Sequence, residues 1–275
     1  MAKTKVKDVI SVMEKIAPSC LAMEDDKIGL QVGGEDINVD AILICLDVTE
    51  DVLDEAKEKG TDLIIAHHPL IYQPLQELIF SKPPGSVIQK AVSSNISIYI
   101  AHTNLDVASG GVNDALIETL RQDWKIKKIE PLLPIKDKPE CGLGKLVLLE
   151  EGKDFNEFVL TTKNKLCAQN VRVTKVKNTK IDTIALCGGS CREVVYPAWQ
   201  KKAELLITGE LPYHSLLEAK SLGLSVIEAG HYETEVIVLP FLKEMLEKEL
   251  KEKGWEGKIL ISKICTKPYL TENLI

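Results

Sequence analysis

Residues 64–72 read IIAHHPLIY. Two of the chain's five histidines, His67 and His68, stand side by side at the end of an apolar run. Neighbouring side chains on a strand point to opposite faces, so the pair does not make two copies of one core contact. The strand is expected to stop there, closed by Pro69, and to deliver both rings to a cleft.

Outward from this stretch, apolar runs of strand length alternate with helical patterns. VDAILICLDV at 39–48 precedes TEDVLDEAKEKG, a helix with Thr49 as N-cap and Gly60 as stop. SVIQKAVSSN at 86–95 reads as a helix leading to the strand ISIYIAHTNLD, and GGVNDALIETLRQ reads as the next helix. Ahead of them, Val9, Ile10, Val12, Met13 and Ile16 repeat at helical spacing and end before Pro18. The strands show little polar alternation, the pattern of parallel sheets covered by helices on both faces.

Residues 131–180 read differently, with Pro and Gly breaks, a strand GKLVLLEE, a helix near 154–168 and VRVTKVKN. The alternation then resumes with IDTIALCGGS, AELLITGE and LSVIEAGH as strands and helices near 193–202 and 214–222. TEVIVLPFLKEMLEKELKEKG reads as one terminal helix, with Pro240 kinking it or lying in its first turns, before KILISKI. The fold class is α/β, and we expect two lobes, 1–130 and 131–275.

Composition excludes several functions. A formal net charge of −7 argues against direct nucleic-acid binding and against attraction to an anionic membrane surface. No stretch approaches the roughly 20 apolar residues of a membrane span, and the N-terminal pattern is no signal peptide, so a cytoplasmic protein is expected. The seven cysteines are odd in number and contain no CxxC pair, so reduced thiols are expected, CGGSC at 187–191 included.

All five histidines fall at or just beyond a predicted strand end. His67 and His68 close the second strand, AHTNLD supplies His102 and Asp106, AGHYETE supplies His231 and Glu235, and His214 follows LLITGELPYH. Ligands bind open α/β sheets outside the carboxyl ends of the strands. Imidazoles with carboxylates suit zinc, manganese, iron, cobalt or nickel, and two ions bridged by carboxylates are within reach of such a set. The plainer roles are strand-end capping for His67 and His68, a turn or N-cap for Asp106, and a surface helix start for His214. His102 and His214 are candidates to carry protons. Ser109, Gly110 and Gly111 before a helix, and Gly188, Gly189 and Ser190 after a strand, could offer amides to an anion, or could simply be turns.

AHHPLIY, AHTNLDVASGGVNDAL, CGGS, ITGELPYH and AGHYETE, in this order across nearly the whole chain, resemble the Nif-three-like family, often labelled GTP cyclohydrolase 1 type 2 homologues. The resemblance implies two similar αβα lobes facing a central metal-binding cleft and a homohexamer. It also implies a dinuclear site with His67, His68, Asp106, His231 and Glu235 as ligands. The chain is similar to the short form without the inserted domain. Members usually carry a Trp-Asp-Asn run before a Gly-Leu pair; Asp25 and Lys27 stand here in place of the Trp and the Asn. The implied activity is metal-dependent hydrolysis of a nucleotide-like or phosphoester substrate. The alternative is a non-catalytic metal-handling or partner-binding scaffold.

Overall fold

In the computed structural model, which describes residues 3–176 and 180–269, the chain begins with α1 (Val6–Ile16), β1 (Gly29–Val32), β2 (Ala41–Cys45), α2 (Glu50–Glu58), β3 (Leu63–Ala66), α3 (Gly85–Ser93), β4 (Ser97–Ile100) and α4 (Thr103–Val107). Then follow α5 (Val112–Leu120), β5 (Ile126–Ile135), β6 (Lys138–Lys153), α6 (Phe155–Lys165), β7 (Arg172–Thr174) and β8 (Ile181–Ser190). The last part holds α7 (Val195–Gln200), β9 (Leu205–Glu210), α8 (Tyr213–Ser221), β10 (Ser225–Glu228), α9 (His231–Glu235), α10 (Val238–Glu252) and β11 (Lys258–Ile261).

Two compact units divide these elements. One runs to Ala108 and resumes at Leu239–Thr266; the other is Ser109–Val238 with the residues from Lys267. The expected division at 130/131 therefore falls elsewhere. α5 belongs to the second unit because Leu116, Ile117 and Leu120 pack with Ile184, Leu186 and Leu205 of its sheet. β11 belongs to the first because it pairs in parallel with β2, Ile259 opposite Ile42.

The first unit's sheet has the order β1-β4-β3-β2-β11. β4, β3, β2 and β11 are parallel, and β1 lies antiparallel at the edge. Leu43, Cys45, Ile64, Ala66, Ile98 and Ile100 enter one core with Val52 and Ala56 of α2 and Val87 and Ala91 of α3. Their neighbours Ile42, Ile44, Leu63 and Ile65, which point to the opposite face, are equally buried. That double burial is why these strands read as unbroken apolar runs. Thr49 begins α2 as expected, its hydroxyl accepting the Val52 amide at 3.3 Å.

The second unit's sheet has the order β5-β6-β8-β9-β10-β7. It is mixed rather than largely parallel: β8, β9 and β10 are parallel, while β5, β6 and β7 join antiparallel. The segment read as Pro and Gly breaks is part of a long β5–β6 hairpin, and the expected strand GKLVLLEE lies within β6. Pro131 and Pro134 are tolerated because β5 is an edge strand, where a missing N–H breaks no ladder. Helices cover both faces, α5 and α6 over Ile184 and Ile207, α7 and α8 over Ala185 and Leu206.

The expected single helix at 234–254 is two, α9 and α10. Pro240 sits in the first turn of α10, where its absent N–H costs nothing. Leu239, Leu242, Leu246 and Leu250 then form its buried stripe. Among the described residues no helix is long and apolar enough to cross a membrane.

Candidate metal centre

Register places the first unit's polar residues along one sheet edge. Cys45, Ala66 and Ile100 are neighbours across β2, β3 and β4. The residues just beyond these strand ends are Asp47, His67 and His68, and His102. β3 stops at Ala66, so the two histidines escape strand alternation, and their ring centroids lie 4.9 Å apart. His102 completes a trio, its ring 5.3 Å from His67 and 5.8 Å from His68. One ring nitrogen from each of the three lies within 4.8 Å of the others.

Each imidazole is held by Nδ1. His67 donates to the Ala101 carbonyl at 2.9 Å, His68 to Asp47 Oδ1 at 2.8 Å and His102 to Asp26 Oδ1 at 2.8 Å. Carbonyl and carboxylate oxygens only accept, so in the neutral rings the proton sits on Nδ1 and Nε2 presents a lone pair. Metal-bound histidines are oriented in this way. Three imidazoles gathered this closely could hold a cation. Asp106, expected on the strand, rides instead on α4, with Oδ1 3.7 Å from His67 Nε2.

Asp26 is the most strongly perturbed carboxyl here. Burial pushes its pKa up. Hydrogen bonds from His102, Thr103 and the Lys27 amide outweigh that and hold it well below the usual carboxylate range. It lies between Asp25 and Lys27, the two departures from the family's run; Asp25 adopts φ 64° and its carbonyl accepts the Lys27 ammonium.

The second unit repeats the scheme. His231 opens α9 after β10, and Glu235 follows one turn later, Oε1 3.1 Å from His231 Nε2. His231 Nδ1 lies 3.1 Å from Glu210 Oε1, at the end of β9. Glu235 is buried. His214 is exposed on the first turn of α8, its ring 5.5 Å from that of Tyr213.

Three of the amides expected to face an anion are engaged within the unit. Gly110 N–H donates to Asp114 Oδ2 at 2.7 Å, beside the Lys145 ammonium. Gly188 N–H donates to Asn113 Oδ1 and Gly189 N–H to Thr234 Oγ1, both at 3.0 Å. Side-chain acceptors fill these donors, so the anion reading does not hold for Gly110, Gly188 and Gly189. Gly111 is the N-cap of α5, and Ser190 ends β8 opposite Glu210. The thiol expectation also fails at one place: Cys187 and Cys191 form a disulfide, because Gly189, at φ 69°, turns the chain back on itself.

Asp47, Glu210 and Asp26 did not emerge from the sequence. Asp47 lies just beyond β2 and Glu210 ends β9, so the same strand-end rule would have found them. Asp26 has no local signal; 76 positions separate it from His102.

The chain is similar to known proteins over nearly its whole length. The chain is 34% identical over 265 residues to a protein of Clostridium acetobutylicum named GTP cyclohydrolase 1 type 2 homolog, covering 96% of this chain and 98% of that one. A crystal structure of a Bacillus cereus protein related to NIF3 superposes with TM-score 0.90 at 27% identity, covering 99% of this chain and 100% of that one. Reduced HcgD from Methanocaldococcus jannaschii superposes with TM-score 0.79 at 31% identity, covering 96% and 100%. The family profile described as Duf34/NIF3 (NGG1p interacting factor 3) matches residues 4–268, and the chain belongs to that family.

Proposed function

We propose that this protein holds two divalent metal ions per chain and is a metal-dependent hydrolase of a nucleotide-like or phosphoester substrate. The ligand set is His67, His68, Asp106, His231 and Glu235. The observation that supports the reading is the anchoring of His67, His68 and His231 through Nδ1, the orientation that metal-bound histidines share. Zinc, manganese, iron, cobalt and nickel fit imidazole and carboxylate donors. Bound ions of this kind bring the pKa of water towards neutrality.

The chain's own residues supply the rest. Asp47 and Glu210 orient His68 and His231. Asp26 holds His102 so that its Nε2 can take up a proton and return it to a leaving group. His214, on the exposed turn of α8, is a second proton carrier only where substrate reaches it. The name of the Clostridium relative supports a nucleotide ring as substrate.

One observation favours a second reading. A ring nitrogen of His102 lies within 4.8 Å of one from His67 and one from His68. If His102 also binds and protein groups fill both ions' shells, no open position remains and the protein handles metal without turnover.

Elemental analysis of protein purified without chelator or affinity tag tests the centre. Near two equivalents per chain are expected, and near zero with no uptake of added ions overturns it. A screen of nucleotides and phosphoesters with the loaded protein then separates the two readings. The family resemblance further proposes a homohexamer, for which light scattering should give about six chain masses.

A further inference from the structure

The Cys187–Cys191 bridge has a local rather than a global purpose. The cysteines are four positions apart, with Cα atoms at 6.2 Å, inside the range of ordinary disulfides. Both are buried. Closing so short a loop removes the least entropy from the unfolded chain, so such a bridge adds least to overall stability. Cys45, Cys141, Cys167 and Cys265 remain thiols, two of them exposed, so the chain is not a generally oxidised scaffold.

What the bridge encloses is the wall behind the His231–Glu235 pair. A methyl group added at Gly189 would lie 2.2 Å from Glu235 Oε1 and 3.6 Å from His231 Nε2. The Gly189 amide bonds Thr234, the residue before Glu235, and the Gly189 carbonyl accepts from Thr208 Oγ1 at 3.4 Å. Turn, α9 and the Glu235 carboxylate therefore form one packed assembly, and the bridge ties the two ends of that turn.

We propose that Cys187 and Cys191 are a reversible dithiol–disulfide couple that sets how firmly His231 and Glu235 hold metal. The proposal rests on the metal reading above. Reduction breaks the S–S bond; two small-molecule thiols supply two electrons and two protons, each cysteine sulfur gains a hydrogen, and the donors leave as their own disulfide. In the bridged form Gly189 is pressed against Glu235. In the dithiol form the ends of the turn part, and Glu235 loses its backing.

The test uses the full chain loaded with zinc. One portion is kept oxidised, another is reduced with a water-soluble phosphine, and both are desalted. Thiols are counted after denaturation without reductant, and zinc release to a chromogenic chelator is timed. Reduction should expose two further thiols per chain and speed the release of one zinc equivalent about tenfold, the scale of losing a ligand's outer support. Reoxidation should restore retention in the wild type, whereas Cys191→Ser should behave as the reduced protein in either state. Reduced wild-type protein carries the test if that variant does not fold. An unchanged thiol count, or equal zinc retention in both forms, overturns the proposal. A chain that gains two thiols but binds zinc in neither form overturns the metal reading, and the coupling with it.

Discussion

Asp47 accepts the Nδ1 proton of His68 at 2.8 Å, while its other oxygen takes the hydroxyl of Thr266. The carboxylate thus fixes the ring from behind, across 21 positions of sequence. Loss of such support typically weakens metal binding about 10–100-fold. Asp47→Ala should do so in a chelator competition while leaving the far-UV circular dichroism unchanged. Unaltered affinity would remove Asp47 from the account of the centre.

Asp26 makes stability depend on acid. Its folded pKa is depressed, so its contribution is fully present above the unfolded carboxylate value of about 3.9 and is lost as pH falls through the lower folded value. In that window the unfolded chain binds the extra proton, so stability rises with pH. Chelator-treated Asp26→Asn should melt at a lower temperature than wild type near neutrality, and its melting temperature should change less as pH drops from about 5 to 2.5. Identical acid limbs in the two proteins would contradict the assignment.

Glu55 on α2 fastens the segment after β11. It receives the Lys59 ammonium at 2.6 Å and the Lys263 amide at 3.0 Å, together with the Ser262 hydroxyl. Burial pushes its carboxyl up, and these bonds pull it below its ordinary value. Glu55→Gln should cost about 1–3 kcal/mol in urea unfolding, the penalty of weakening bonds to a buried charge. Faster hydrogen exchange confined to β11 and its successor residues would locate the effect. Unchanged stability and exchange would place the fastening elsewhere.

Gly189 has no room for a side chain, and its φ of 69° is one that residues with a Cβ avoid. Gly189→Ala should cost about 1–3 kcal/mol of stability from the backbone alone. It should also displace Glu235 and lower bound metal below two equivalents. Wild-type stability with full metal content would show that the turn has slack the geometry does not suggest.

Much of this was legible from residue order. Apolar runs doubly buried against helices have no alternation to confuse, so β2, β3, β4, β8, β9 and β10 stand where the pattern puts them. The helix α2 starts at its N-cap for the same local reason. Where the reading slipped, the cause was a partner distant in sequence. Pro131 and Pro134 look like breaks until β5 is known to be an edge. The strand KILISKI looks like part of the second lobe until it pairs with β2.

The sequence by itself determined that histidines and carboxylates would cluster at strand ends, because strand length and termination are local properties written in consecutive residues. Only the tertiary structure decided which acceptor holds each imidazole, which amides are already taken and which cysteines meet. Those pairings join positions from 4 to 76 residues apart. Sheet register and turn conformation bring them together, and neither is carried by any one stretch of chain.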